Sequence, residues 1–277
     1  MENFETYAFY AMLLTYFIST VGYWGWLASK KDVFGKIGLW FAVVGFAANT
    51  IALVLRTIIA QRAPLTNGYE FILTFTWGIV GVFLFTEFKY KLKSLGSFIM
   101  PVAFILLAFI VLGMSPDDRM AQAIPPALKS KWLTFHVVTA IVSYGAFASA
   151  FGLGVMYLLK ASKQKATGWL SRLPEIDVLD ELAYKLIGFG FPFLTLCIIT
   201  GAIWANYAWG TYWTWDPKET WSLITWLIYA AYLHARLMYG WKGKRAAWLA
   251  VLGFVAVLFT FFGVNYFLPG LHSYAAV

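Results

Sequence analysis

Eight long apolar runs leave this chain few ways to fold. They lie at about residues 4–28, 36–60, 69–88, 95–113, 132–160, 183–207, 220–239 and 246–268. A helix needs roughly 20 apolar residues to cross a bilayer. Lipid offers the backbone no hydrogen-bonding partners, so only helices or a closed barrel span it. The runs are continuous and lack period-two alternation, which selects helices. Charged residues make up only 12% of the chain, against about 25% in a soluble domain. The pattern predicts an all-α, polytopic membrane helical bundle of about eight transmembrane helices, forming a single membrane domain over 1–277. No basic stretch precedes the first run, which opens on Glu2 and Glu5, so no cleavable signal peptide is expected.

Lys and Arg give the expected orientation. Fifteen fall in one alternate set of loops, around Lys30–Lys36, Lys89–Lys93, Lys160–Lys185 and Arg236–Arg245. Five fall in the opposite set: Arg62, Arg119, Lys129, Lys131 and Lys218. The bias puts the first set in the cytoplasm and both termini outside. It also accounts for the net charge of +8 without a nucleic-acid partner, because the positive residues sit where a topology signal belongs. The inner loop at 161–183 carries Leu173, Ile176, Leu179, Leu182 and Ala183 at helical spacing, with Pro174 ahead of them. A short amphipathic surface helix is expected there. Ser115–Arg119 and Pro125-Pro126 read as an outer polar turn and connector. The single cysteine, Cys197, excludes a disulfide or Cys-x-x-Cys pair within the chain and reads as an apolar filler.

One outer connector is unlike the rest. Within the Trp-rich loop at 205–221, residues 209–221 hold Trp209, Trp213, Trp215, Trp221, Asp216, Lys218 and Glu219. An aromatic belt explains Trp24, Trp26, Trp40, Trp169, Trp241 and Trp248. It explains this density poorly. Indole faces stack on a flat apolar ligand while nearby charges meet its polar rim. The chain has three histidines, and with them the combination points to haem. His136 falls one turn inside the outer end of the fifth run, and His272 lies in the outer tail. His234 follows Trp221 by thirteen residues, so a helix carries it about 20 Å inward. His136 and His272 are candidates for the two axial ligands of one haem at the Trp-rich face, and His234 for a second, deeper site. Small residues Ala230, Ala231 and Ala235 flank His234 and leave room for a flat ring. Lys218, Arg56 and Arg62 are candidates to neutralise propionates. Asp216 more plausibly orders the loop than meets an anionic ligand. No side chain reads as a nucleophile or general base.

Two other classes compete. A bis-His electron-transfer protein places paired histidines on facing helices inside the bilayer, whereas only His234 is deep. A transporter needs opposed broken spans at the midplane, and only the sixth run, with Gly188, Gly190 and Pro192, has such an element.

Trp209-Gly-x-x-Trp-x-Trp-Asp-x-Lys-Glu-x-Trp221, followed by Trp226-Leu-x-Tyr-x-x-Tyr-Leu-His234-x-Arg236, resembles the WWD signature of the CcsA/ResC family of System II cytochrome c biogenesis. The resemblance covers roughly residues 60–277. It implies haem b as substrate, a CcsB/ResB-like membrane subunit as partner, and an apocytochrome c whose Cys-x-x-Cys-His thiols add to the haem vinyl groups. It also implies that His136 and His272 hold the outer haem. His234 would hold an intramembrane haem, its opposite ligand supplied by the partner. The setting implied is membrane lipid, of the bacterial inner membrane or the thylakoid, with the active site on the extracytoplasmic or lumenal face. CcmC, a haem-delivery chaperone without synthase activity, shares the loop and is the competing family reading. No large extracytoplasmic domain is present, so the partner is expected on a separate chain.

Overall fold

A computed structural model describes residues 2–121, 124, 126–163, 167–268 and 270. Among them there is no strand. Eight long helices stand where the apolar runs lie: α1 (Glu2–Ser29), α2 (Asp32–Ala60), α3 (Gly68–Tyr90), α4 (Lys93–Gly113), α5 (Lys131–Ala161), α6 (Ile176–Trp209), α7 (Pro217–Tyr239) and α8 (Lys244–Leu258). A π-helical turn at Phe259–Gly263 and a short α9 (Val264–Phe267) continue α8. Six are long and apolar enough to cross a membrane by length and composition. The other two, α1 and α7, are of similar length but richer in Tyr and Trp, which lower their hydropathy.

The single domain expected over 1–277 divides into two compact units. One is Met1–Ala123 with Lys163–Pro174, and the other is Ile124–Ser162 with Glu175–Val277. The first unit contains α1–α4. Small residues let its helices approach closely, as in lipid-embedded bundles. A Cβ on Gly22 would lie 2.7 Å from the Gly38 nitrogen, and Gly38 and Gly96 both press on the ring of Tyr23. The Tyr23 hydroxyl then donates to Glu87 Oε2 at 2.5 Å. One side chain thus ties all four helices. The turn at Gly168–Arg172 belongs here because the Arg172 guanidinium donates to the carbonyls of Trp26 and Leu27.

The second unit contains α5–α9, with α5 lying along α6 and α8. Gly154 admits the Ala247 and Ala250 face of α8, and Phe147 stacks on Tyr229 with ring centroids 3.7 Å apart. The separate amphipathic helix expected within 161–183 is not separate. It forms the first turns of α6, a continuous helix of 34 residues. Leu179, Leu182 and Ala183 are buried and run straight into the buried Leu186 and Ile187, with no breaker between them. Pro192 sits inside α6 without ending it. The resulting helix is about 51 Å long, well beyond a hydrocarbon core of roughly 30 Å.

Candidate haem-presenting site

The Trp-rich connector is shorter than its sequence suggests. Trp209 ends α6, Gly210 closes that helix at φ 80°, and α7 starts at Pro217. Residues 210–216 alone are non-helical. The local sequence fixes how the chain enters α7. Asp216 caps the helix by accepting from the Lys218 N–H at 3.1 Å, with Pro217 in the first helical position. Glu219 closes the capping box: its Oε2 accepts from the N–H groups of Thr214 at 2.7 Å and Asp216 at 3.2 Å. Trp215, clamped between them, adopts φ 62°. A bulky side chain in left-handed backbone is strained. Here that strain holds the indole 68% exposed, edge-on to Trp213 at 5.7 Å.

His136 of α5 reaches the same place from the other side. Its Nδ1 lies 2.7 Å from the Cys197 carbonyl oxygen of α6. A carbonyl only accepts, so Nδ1 carries the proton, and the neutral form of such a ring has its lone pair on Nε2. That is the tautomer a metal ligand needs, with its orientation set by the second nitrogen. The ring lies nearly parallel to Trp204 at 6.4 Å, and Trp204 meets Trp209 edge-on at 4.9 Å. Gly201 makes the seat possible, because a Cβ there would come within 2.7 Å of Nδ1.

His136, Trp204, Trp213, Lys218 and Glu219 line one cavity of about 70 Å³. Pockets that enclose a small molecule run roughly 300–1,000 Å³, so this cavity is too small to enclose a porphyrin. Two buried polar atoms in the wall, Trp213 Nε1 and Glu219 Oε1, have no partner among the described residues. Lys218 Nζ donates to Asn265 Oδ1 at 3.0 Å, tying the first turn of α7 to α9. Trp221 packs on Phe259 of the π turn at 4.2 Å. Such turns recur at functional sites. His272 lies outside the described residues. Gly270, two residues before it, sits against Asp216, where a Cβ would come within 2.4 Å of Oδ1.

His234, Arg56 and Arg62 are not among the residues that line this cavity. His234 is exposed on α7, its ring edge-on to Tyr239 at 5.7 Å. Arg56 and Arg62 belong to the first unit and both bind Glu70, at 3.0 and 2.7 Å.

A family model for cytochrome c assembly proteins matches residues 65–272. The cytochrome c biogenesis protein CcsA of Guillardia theta is 41% identical, over 94% of this chain and 93% of its own. That of Trieres chinensis is 35% identical over 99% and 97%. The chain belongs to the CcsA family. Its fold also matches a solved structure, the cytochrome c haem lyase CcmF, with a TM-score of 0.71 at 16% identity. That match covers 93% of this CcsA protein and 46% of the CcmF chain.

Several residues of the site went unread in the sequence of this CcsA protein. Asp216-Pro217-Lys218-Glu219 has the spacing of a capping box, a signal that would have given Glu219 its role. Gly201, Trp204 and Asn265 carried no local signal, since each acts on a residue remote in sequence. Replacing the strained indole separates its two effects. We expect Trp215→Gly to leave the melting temperature unchanged or slightly higher, by the relief of about 1 kcal/mol of backbone strain. The same variant is expected to bind haem less tightly, read by titration of the purified protein. A lower melting temperature with unchanged haem affinity would assign Trp215 to stability instead.

Proposed function

We propose that this CcsA protein, with a CcsB/ResB-like membrane subunit, presents haem b at the Trp-rich face of its α5–α9 unit. The pair there catalyses attachment of haem to apocytochrome c. The observation that carries this reading is the seat of His136, where a proton fixed on Nδ1 aims the Nε2 lone pair as a ligand beside Trp213 and Lys218. His272 is the second axial ligand in this reading, and the position of Gly270 against Asp216 supports it. The exposed indole of Trp215 extends the platform.

The chemistry asked of the protein is positioning. Each substrate Cys S–H adds across one haem vinyl group, sulfur to one carbon and hydrogen to the other, without net oxidation. The attacking thiolate belongs to the apocytochrome, so its thiolate fraction governs reactivity. Orientation of two reactants alone removes much of a barrier. A shallow cavity that takes up the imidazole and leaves the macrocycle outside keeps its edge open to a peptide. His234, exposed on α7, is suited to a second haem shared with a partner helix.

Optical spectra of the purified complex test both histidine assignments. His136→Ala is expected to lose the outer haem band and recover it with added imidazole. His234→Ala is expected to lose a separate haem pool only. A His136→Ala spectrum identical to that of the parent protein would end the outer-site assignment.

A further inference from the structure

The π turn between α8 and α9 changes which residues face α7. Along α7, Lys218, Trp221, Thr225 and Tyr229 follow one another at three- and four-residue steps and so share one face. Each meets a residue of the helix beside it. Lys218 Nζ donates to Asn265 Oδ1 at 3.0 Å, and the ring of Trp221 lies 4.2 Å from that of Phe259. The hydroxyls of Thr225 and Thr260 are 3.3 Å apart, and a Cβ on Gly253 would come within 2.6 Å of the Tyr229 ring. Gly253 and Thr260 are seven residues apart, about two turns, so a regular helix puts both towards α7. Asn265 follows Thr260 by five. On a regular helix five residues end about 140° past a full turn, and the amide would point away from Lys218. The π turn absorbs one residue: the Val264 N–H donates to the Phe259 carbonyl, five residues back. That returns Asn265 to within about 40° of the face that carries Thr260.

Lys218 and Thr260 line the Trp-rich cavity, and Asn265 stands buried behind them at 7% exposure. Its amide oxygen fixes the ammonium and adds no negative charge of its own. A carboxylate that meets an ammonium already fixed in place gains a charge-assisted hydrogen bond without first ordering a long side chain. We propose that the π turn sets this register, making Asn265 the positioning residue that holds Lys218 for a propionate of haem. The inference rests on the reading of this cavity as the haem-presenting site.

Optical titration of the purified full-length protein with haem b and with its dimethyl ester tests this. The two share ring and iron, and the ester lacks both carboxylates. A charge-assisted hydrogen bond predicts that the parent prefers the diacid by at least about tenfold. Asn265→Leu is expected to erase most of that ratio. Lys218→Met is expected to do the same, with no further loss in the double variant. A merely structural role would weaken both ligands alike and leave the ratio standing. Variants of chain length test the register. Deleting Phe262 places Asn265 four residues after Thr260, a spacing that suits a regular helix, so the ratio is expected to survive. An alanine inserted after Phe262 makes the spacing six, which one π turn does not absorb, and the ratio is expected to vanish. Equal affinity of the parent for the two ligands would overturn the proposal, as would an unchanged ratio in Asn265→Leu or a ratio lost on deletion in folded protein. His136→Ala, titrated alongside, separates the inference from the reading beneath it. If that variant loses both ligands while Asn265→Leu keeps the ratio, the inference alone falls. If it binds both as the parent does, the site assignment falls and takes the inference with it.

Discussion

Gly201→Leu is expected to abolish haem binding at the Trp-rich face, with no rescue by added imidazole. This is the largest effect expected from a residue that bears no functional group. A single Cβ at 201 would already lie 2.7 Å from His136 Nδ1 and 2.9 Å from Cε1, inside any real contact distance. The imidazole is held there by the Cys197 carbonyl and faced by Trp204, so it yields only by leaving its hydrogen bond. Leucine also fills the space an added imidazole would enter, which separates this variant from His136→Ala. Misplacing a reacting group by about 1 Å costs on the order of 100-fold, so cytochrome c formation on co-expression with the partner should fall at least that far. Gly188→Ala is the control. Nothing lies within 4 Å of a Cβ at that position of α6, and alanine in place of an interior helical glycine stabilises by about 1 kcal/mol. Normal haem binding in Gly201→Leu would show that the imidazole does not use this seat.

Glu70→Ala should be the most destabilising single change in the first unit. The carboxylate is fully buried and accepts from Arg56 Nε, Arg62 Nη1 and the Thr66 N–H. Removing it leaves two guanidiniums in a low-dielectric site without their shared counter-charge. Breaking a buried pair this way costs about 3–5 kcal/mol, roughly a 10 °C fall in melting temperature for a chain of this size. The triple variant Glu70→Leu, Arg56→Met, Arg62→Met removes all three charges and should recover most of the loss. A Glu70→Ala protein that melts with the parent would mean the arginines find other partners. Haem binding at the Trp-rich face should survive Glu70→Ala in folded material, because every residue lining that cavity belongs to the second unit.

Arg56 and Arg62 show where reading along the chain stops being enough. In sequence they are cations near the outer end of a span, free to meet a propionate. In the fold both bind Glu70. Nothing in the sequence records that pairing, because it depends on where α3 lies beside α2. The connector at 210–216 is the opposite case. Asp216, Pro217 and Glu219 act on backbone groups within five residues, so their spacing already states the capping box that forms.

The sequence by itself determined that the chain is an all-helical membrane protein and where its long helices lie. These follow from hydropathy and side-chain chemistry, which act over a turn or two of chain. Tertiary structure alone decided that α6 runs unbroken from Ile176, that Glu70 holds two arginines, and that Gly201 and Cys197 seat an imidazole borne by another helix. Each of these rests on a contact between residues distant along the chain, and such contacts exist only once the helices have packed.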